Sequence, residues 1–142
     1  MSTNSNTVLL KQYANARKEA IAIGIITPGD LVMFDSAGKV LRHGTDKGVN
    51  VLKMFALENT LEGEEITDTY AVGDRVKMAF VRTGDEVYAI IQDGEKIAIG
   101  DVLVSAGDGA LEEYSDAGTP IAIAKEAVSP SGSDGRCRVI IA

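Results

Sequence analysis

The sequence predicts a mostly β protein, because short apolar segments rich in β-branched residues recur along the chain and glycine stands at nearly every break between them. There are 15 glycines in 142 residues, and glycine supplies the positive φ that tight turns and bulges require. Aromatic residues make up only 5% and Trp is absent, so the core must consist of Val, Ile, Leu, Met and Ala. We expect a small β-barrel or sandwich with at most one or two short helices.

About nine or ten short strands follow one another from residue 20, each bounded by turn-forming residues. Pro28-Gly29 predicts a type II turn, since Pro presets φ at its second position and Gly tolerates positive φ at its third. "RTG" at 82–84 predicts a tight hairpin that pairs the strands on either side of it. The strands are expected in 20–26, 27–34, 39–42, 51–57, 74–81, 85–92, 97–105, 110–115, 120–128 and 137–142.

The first 19 residues lack the β-type sequence pattern that begins at residue 20. They are expected to form a flexible N-terminal arm, with 20–142 as a single β domain. "MSTNSN" is polar, and termini of this kind are commonly mobile. Residues 7–19 read weakly as helix or as extended chain, since their apolar residues cluster at the start and do not continue a helical period. We expect this segment to lie against another surface.

The pair Gly-Asp occurs at 73–74, 84–85 and 100–101, before an apolar run each time. A phosphate-binding loop would need a glycine-rich motif between a strand and a helix, and no helical segment follows. A calcium loop would need alternating carboxylates with a closing Glu, which are also lacking. We therefore interpret the pairs as strand-entry turns in which Gly takes the positive φ and Asp caps the turn.

No catalytic, cofactor-binding or metal-binding residue is predicted, and the chain is not expected to be an enzyme. His43 and Cys137 are the single representatives of their types, too few ligands for a zinc site. Cys137 lies in an alternating segment and is interpreted as a half-buried strand residue. Adjacent carboxylates such as Glu112-Glu113 would point to opposite faces of a strand and cannot share a proton there. An enzyme would need a site built from His43, Cys137 and scattered carboxylates.

Composition and charge limit the kinds of partner that the protein is expected to have. The start of the chain lacks the apolar run of a signal peptide, and no stretch approaches a membrane span, so a soluble protein made in a reducing cytosol is expected. The net charge of −7 argues against nucleic-acid binding. Residues 1–55 carry +3 and residues 56–142 carry −10, which is compatible with one face meeting an acidic partner and equally with an ordinary solvated acidic surface.

The run from "GVNVLKMFALEN" at 48–59 through "AGDGAL" at 106–111, and the closing "PIAIAKEAVSPSGSDGRCRVIIA", resemble the small head decoration, or cement, proteins of tailed bacteriophages. The likeness spans about 20–142. It implies a β-tulip or barrel-like domain that binds the major capsid protein as a homotrimer, at three-fold and quasi-three-fold positions on the outside of an expanded capsid. Such a virion protein is made in the bacterial cytoplasm and stabilises the shell against internal DNA pressure. It needs no cofactor, nucleic acid or membrane.

The resemblance also implies that the arm orders on the capsid. The apolar residues available for that contact are Val8, Leu9, Leu10 and Tyr13, and strand addition through backbone hydrogen bonds would give affinity. Two alternatives remain. One is another phage structural module, from a tail or baseplate. The other is a carbohydrate-binding domain, against which the low aromatic content argues.

Overall fold

The mostly β prediction is confirmed by the computed structural model, which describes residues 5–12, 16–44, 52–115 and 117–142. The model is 41% strand and 2% helical. Among the described residues, the helical part is one 3-10 turn at Thr60–Glu62. Eleven strands are present in the described residues: β1 Leu9–Lys11, β2 Arg17–Ile21, β3 Val32–Phe34, β4 Val40–Arg42, β5 Met54–Ala56, β6 Arg75–Phe80, β7 Glu86–Ile91, β8 Val102–Ser105, β9 Leu111–Glu113, β10 Ala122–Ala124 and β11 Gly135–Ile141.

Five of these strands close a mixed barrel. The sheet runs in the order β1-β7-β11-β10-β8-β9, and β9 returns to β7 through a parallel pairing of Ile91 with Leu111. Antiparallel pairing elsewhere places Val87 beside Val139 and Ala89 beside Cys137, all four buried. Because successive side chains alternate between faces, these residues point inward, where they join larger buried side chains such as Leu103 and Leu111.

β2 to β6 form a second lobe with its own core. A three-stranded sheet has the order β2-β6-β5, and β3 pairs with β4. Its buried cluster includes Ile26, Val32, Met54, Val76 and Met78, distinct from the cluster that fills the barrel. Backbone hydrogen bonds join the lobe to the barrel, among them Leu31 N–H to the carbonyl of Gly109 at 2.8 Å.

The Gly-Asp pairs are turns, as predicted, and the same turn also occurs at Thr27–Asp30. In the turn at 71–74, Gly73 has φ of 92° and the N–H of Asp74 donates to the carbonyl of Ala71 at 3.1 Å. The Asp74 carboxylate accepts the N–H of Ala71 in return, at 2.8 Å. Turns 27–30, 82–85 and 98–101 repeat this pair of bonds. Positive φ at the third position makes all four type II.

The predicted hairpin at residues 82–84 is wrong. β6 pairs with β2 and β5 in the second lobe, whereas β7 pairs with β11, β1 and β9 in the barrel. Tight hairpins favour type I′ or II′ turns, whose twist matches that of paired strands, while type II turns splay them. The N–H of Gly84 also bonds to Ile141 of β11, at 2.9 Å. The turn therefore carries the chain from one sheet to another.

The described parts of residues 1–19 are hydrogen-bonded to the rest of the domain. β1 pairs with β7, and β2, which runs across residue 19, pairs with β6. The side chain of Gln12 also bonds to the carbonyl of Phe80, at 2.9 Å. The segment is thus docked on the domain in this conformation. Whether it acts as an arm that leaves the domain on meeting a partner stays a prediction.

Candidate protein-binding surface

The open edge of β2 borders a groove of about 380 Å³. β2 occupies one end of its three-stranded sheet, with β6 on its inner side; on its outer side a bridge between Ala22 and Val40 of β4 covers the C-terminal end and leaves Arg17–Glu19 open. The groove, called the β2 groove below, is lined by Thr7, Leu9, Arg17, Lys18, Glu19, Leu57, Glu58, Thr60, Leu61, Lys77 and Met78.

Backbone groups on the outer side of β2 are available to an added strand. The carbonyl of Ala16 accepts the N–H of Phe80 at 3.0 Å, and the N–H of Ala22 donates to the carbonyl of Asp74 at 2.9 Å. The backbone N–H and carbonyl groups of the even-numbered residues therefore point towards β6. In an antiparallel pair the bonding direction alternates. The N–H and carbonyl groups of Arg17 and Glu19 therefore point away from β6, which is the arrangement that β-augmentation uses.

Cations dominate the groove in a chain that is acidic overall. Among the described residues, no carboxylate lies within ion-pair distance of Arg17, Lys18 or Lys77; Lys18 instead sits 5.7 Å from the centre of the Phe34 ring. Of the two carboxylates in the lining, Glu58 is buried and accepts the N–H of Val8 at 3.3 Å. The groove thus presents uncompensated positive charge along its strand edge, suited to an acidic extended segment.

The apolar side of the groove has one exposed anchor. Leu61 is 85% exposed at the 3-10 turn, whereas Leu9 and Leu57 are half-buried against the barrel core. Sequence reasoning missed this groove, because its walls come from segments up to 71 residues apart in the chain. The polar strand "RKEAI" of β2, with its three exposed residues, was the available local signal for an open sheet edge.

The four residues predicted for capsid contact differ in where they lie relative to the β2 groove. Leu9 lines it, Leu10 packs half-buried on the barrel core, and Val8 is fully buried in that core. Tyr13 lies outside the described residues. The carbonyl of Val8 also accepts the N–H of Tyr88, at 2.6 Å. For Val8 to contact a partner, β1 would have to leave β7, so the contact role of these residues stays a prediction.

Residues that an enzyme would need are not assembled into one site. His43 is buried with its Nδ1 2.8 Å from Ser105 Oγ, and burial lowers the pKa of His43. Cys137 lies inside the barrel, its Sγ 3.4 Å from the carbonyl of Glu126, and burial raises the pKa of this thiol to about 11. The described residues contain no cluster of three or more His, Cys, Asp or Glu that could hold a metal.

No helix formed by the described residues is long and apolar enough to cross a membrane. The large hydrophobic side chains that they expose include one aromatic residue, Tyr114, whereas sugar-binding faces commonly present several rings.

Comparison with known proteins identifies a shared fold. No protein-family model matches the chain, and no curated protein matches it. A solved structure, the N base of head fiber gp8.5 of bacteriophage phi29, is similar with a TM-score of 0.62 and 13% identity. The match covers 91% of this chain and 95% of that one. At this identity the similarity shows the fold, and it takes in both the barrel and the second lobe.

Proposed function

We propose that this protein is a structural component of a phage head, which binds the outer surface of the expanded capsid at three-fold and quasi-three-fold positions. There it stabilises the shell against internal DNA pressure. The observation that carries the proposal is the fold shared with a phage head fiber base over nearly the whole chain. The resemblance of 20–142 to cement proteins is what suggests the three-fold position and the stabilising role.

The β2 groove is the surface proposed to meet the major capsid protein. It offers backbone hydrogen-bonding groups at Arg17 and Glu19, unpaired cations, and the exposed side chain of Leu61. An extended acidic segment of a capsid subunit could add to β2, with the backbone bonds giving affinity and the cations giving specificity. Three weak contacts of this kind on one trimer would act together at high effective concentration.

Co-sedimentation with expanded heads that lack their own decoration protein tests the proposal. We expect saturable binding near three copies per three-fold site, and heads that withstand heating or chelation better once they are coated. A folded chain that fails to sediment with intact heads at micromolar concentration would overturn the capsid role.

The groove is tested by a matched pair of charge reversals. Arg17→Glu places a negative charge at the strand edge and should weaken head binding at least tenfold, since rejecting like charge costs more than 1.4 kcal/mol here. Lys96→Glu makes the same change at an exposed lysine outside the groove and should leave binding within about twofold. Equal effects of the two variants would remove the groove from the proposal and leave only general electrostatic attraction.

A second candidate function is that of a head fiber base, because the similar phi29 structure is described as one. Such a base would bind the head and present a further chain outward, without strengthening the shell. The same experiment separates the two, because saturable binding with no gain in head stability fits a fiber base and not a cement protein.

A further inference from the structure

The second lobe repeats the strand order of the barrel. The barrel closes in the order β7-β11-β10-β8-β9, and the lobe follows the order β2-β6-β5-β3-β4 once its single bridges are included. In each, the first strand meets the last through one parallel pairing, Ile91 with Leu111 in the barrel and Ala22 with Val40 in the lobe. The strands β2 to β6 therefore correspond, in chain order, to β7 to β11.

Backbone hydrogen bonds fix this correspondence residue by residue. The residue that follows β5 donates its N–H to the carbonyl of Lys77, and the residue that follows β10 donates to the carbonyl of Arg138, both at 2.8 Å. Lys77 pairs with Glu19 of β2, and Arg138 pairs with Tyr88 of β7. Glu19 is therefore the counterpart of Tyr88. Counting back along each strand adds two further pairs of counterparts, Lys18 with Val87 and Arg17 with Glu86.

On the barrel, β1 fills a strand position that is vacant on the lobe. β1 runs antiparallel to the first residues of β7, and the carbonyl of Val8 accepts the N–H of Tyr88 at 2.6 Å. The equivalent stretch of β2 is residues 17–19, and no strand formed by the described residues lies on its outer side. The N–H of Glu19, the counterpart of the Tyr88 N–H, points towards this vacant position.

The pairing of β1 with β7 shows how such a position selects its occupant. Leu9 stands opposite Val87, and Lys11 stands opposite Glu86. The first pair is apolar and the second joins opposite charges, and both kinds of cross-strand pair stabilise a sheet, whereas like charges directly opposite destabilise it. The side chains of β1 therefore match those of β7 at both contacts.

The edge of β2 requires a different occupant, because both equivalent contacts are cations. Lys18 stands where β7 has buried Val87, and Arg17 stands where β7 has Glu86. The chain's own β1 does not suit this edge, since its Lys11 would face Arg17 with like charge. A lysine on a free edge also discourages pairing with another copy. A strand with carboxylates at both contacts would match the edge.

The two carboxylates that line the β2 groove do not offset these cations. Glu58 is buried and accepts the N–H of Val8. Glu19 is directed to β6, where its Oε1 lies 3.9 Å from the Nε of Arg75. Lys77, opposite Glu19 on β6, adds a further cation to the lining. Positive charge therefore remains in excess beside the vacant strand position.

We propose that the open edge of β2 is a second strand site, filled by an extended acidic segment of a capsid subunit that runs antiparallel to β2. Its carboxylates lie opposite Arg17 and Lys18, and one of its carbonyls accepts the N–H of Glu19, as the carbonyl of Val8 accepts that of Tyr88. The inference rests on the proposed function of the groove. It adds the direction, register and charge pattern of the segment that the groove binds.

The experiment uses peptides patterned on residues 5–12, titrated into the full chain while its amide signals are followed by NMR. The acidic peptide carries Leu9→Glu and Lys11→Glu, the basic peptide carries Leu9→Lys, and a third is unchanged. We expect the acidic peptide to bind at least tenfold more tightly than either of the others. Exchange of the Glu19 amide hydrogen should slow on binding. A nitroxide at the N-terminus of the acidic peptide should broaden Ile21 more than Arg17, because the strands are antiparallel.

A charge swap tests the register. The double variant Arg17→Glu with Lys18→Glu should prefer the basic peptide over the acidic one, because both cross-strand contacts are then reversed. Lys96→Glu, at an exposed residue outside the groove, is the control and should keep the preference of the wild type. Both changed residues of the double variant are exposed, so it should melt like the wild type.

Three results would overturn the strand site. One is an acidic peptide that leaves the signals of residues 17–19 unchanged up to about millimolar concentration. Another is a charge-swapped variant that keeps the preference of the wild type. The third is an unchanged peptide that binds β2 as tightly as the acidic one, which would make the chain's own N-terminal strand the occupant.

The peptide experiment contains no phage heads, so its failure is distinct from failure of the proposed function. If the chain binds heads but not the acidic peptide, the strand site is wrong and the capsid role stands. If the chain binds the peptide with the expected charge preference but does not sediment with heads, the capsid role is wrong and β2 remains a strand site for an acidic segment of another partner.

Discussion

Substitutions at Gly73 and Gly24 can separate the effect of backbone conformation on stability from the effect of packing. Neither residue has an atom within 4 Å of the place a Cβ would occupy. Gly73 has φ of +92° and Gly24 does not have positive φ. We expect Gly73→Ala to lower the free energy of unfolding by roughly 1 kcal/mol, the strain of an L-residue in that region. Gly24→Ala should be neutral or stabilising by up to about 1 kcal/mol, through reduced unfolded-state entropy. Urea unfolding followed by circular dichroism measures both, and an equal cost at the two positions would contradict the turn assignment.

Single residues were predicted well where the cause is local. The Gly-Asp pairs identify turns because positive φ and the Asp cap act within four residues, and Pro28-Gly29 belongs to the same class. His43, by contrast, lies buried against Ser105, 62 residues further along the chain. A contact over that separation has no local signal, so the burial of His43 and the lowering of its pKa could not be read from the sequence.

At the scale of elements, β1 provides the sharpest test of how firmly the N-terminal segment is attached. Val8 is fully buried, and β1 pairs with β7. Val8→Ala should therefore lower the free energy of unfolding by about 2 kcal/mol, through lost burial and a small cavity. Thr7→Ala, at the exposed neighbouring residue, is the control and should change it by less than about 0.5 kcal/mol. Equal, negligible effects would show that the segment is undocked in solution.

Strand positions were predictable to within a few residues, because apolar runs and turn residues are local. Strand partners were not. β6 and β7 are neighbours in the chain and belong to different sheets, since a type II turn splays the strands it joins. The same reasoning explains why the β2 groove was missed: an open edge becomes visible only when the pairing of every other strand is known.

The whole molecule has two clusters of buried residues, and the lobe joins the barrel both by apolar packing, since Leu31, Phe55 and Ala79 belong to the barrel's cluster, and by a polar seam. His43, at the end of β4, lies on the lobe side of the seam. Ser105, at the end of β8, and Gly109 lie on the barrel side, and the N–H of Gly109 donates to the carbonyl of His43 at 3.3 Å. The sequence predicted a single β domain after residue 19. Barrel closure depends on one parallel pairing of β7 with β9, and nothing in the periodicity of either strand indicates it.

Acid should weaken this seam through His43, the chain's sole histidine. Burial lowers the pKa of His43 below its usual 6.5, so as pH falls through about 6.5 the unfolded chain takes up a proton that the folded chain resists. The unfolded state then binds more protons, and stability falls with falling pH. Between about pH 7.5 and about pH 5.5 we expect a loss on the order of 1 kcal/mol.

The measurement is urea unfolding at both pH values for the wild type and for His43→Gln, whose amide can still hydrogen-bond to Ser105. The variant should show a smaller difference between the two pH values whatever its absolute stability, because the carboxylates contribute equally to both proteins. An unchanged difference would mean that acid acts elsewhere and that the seam does not sense protonation of His43. A pH-dependent loss confined to the wild type would make this histidine the link between proton concentration and the joining of barrel and lobe.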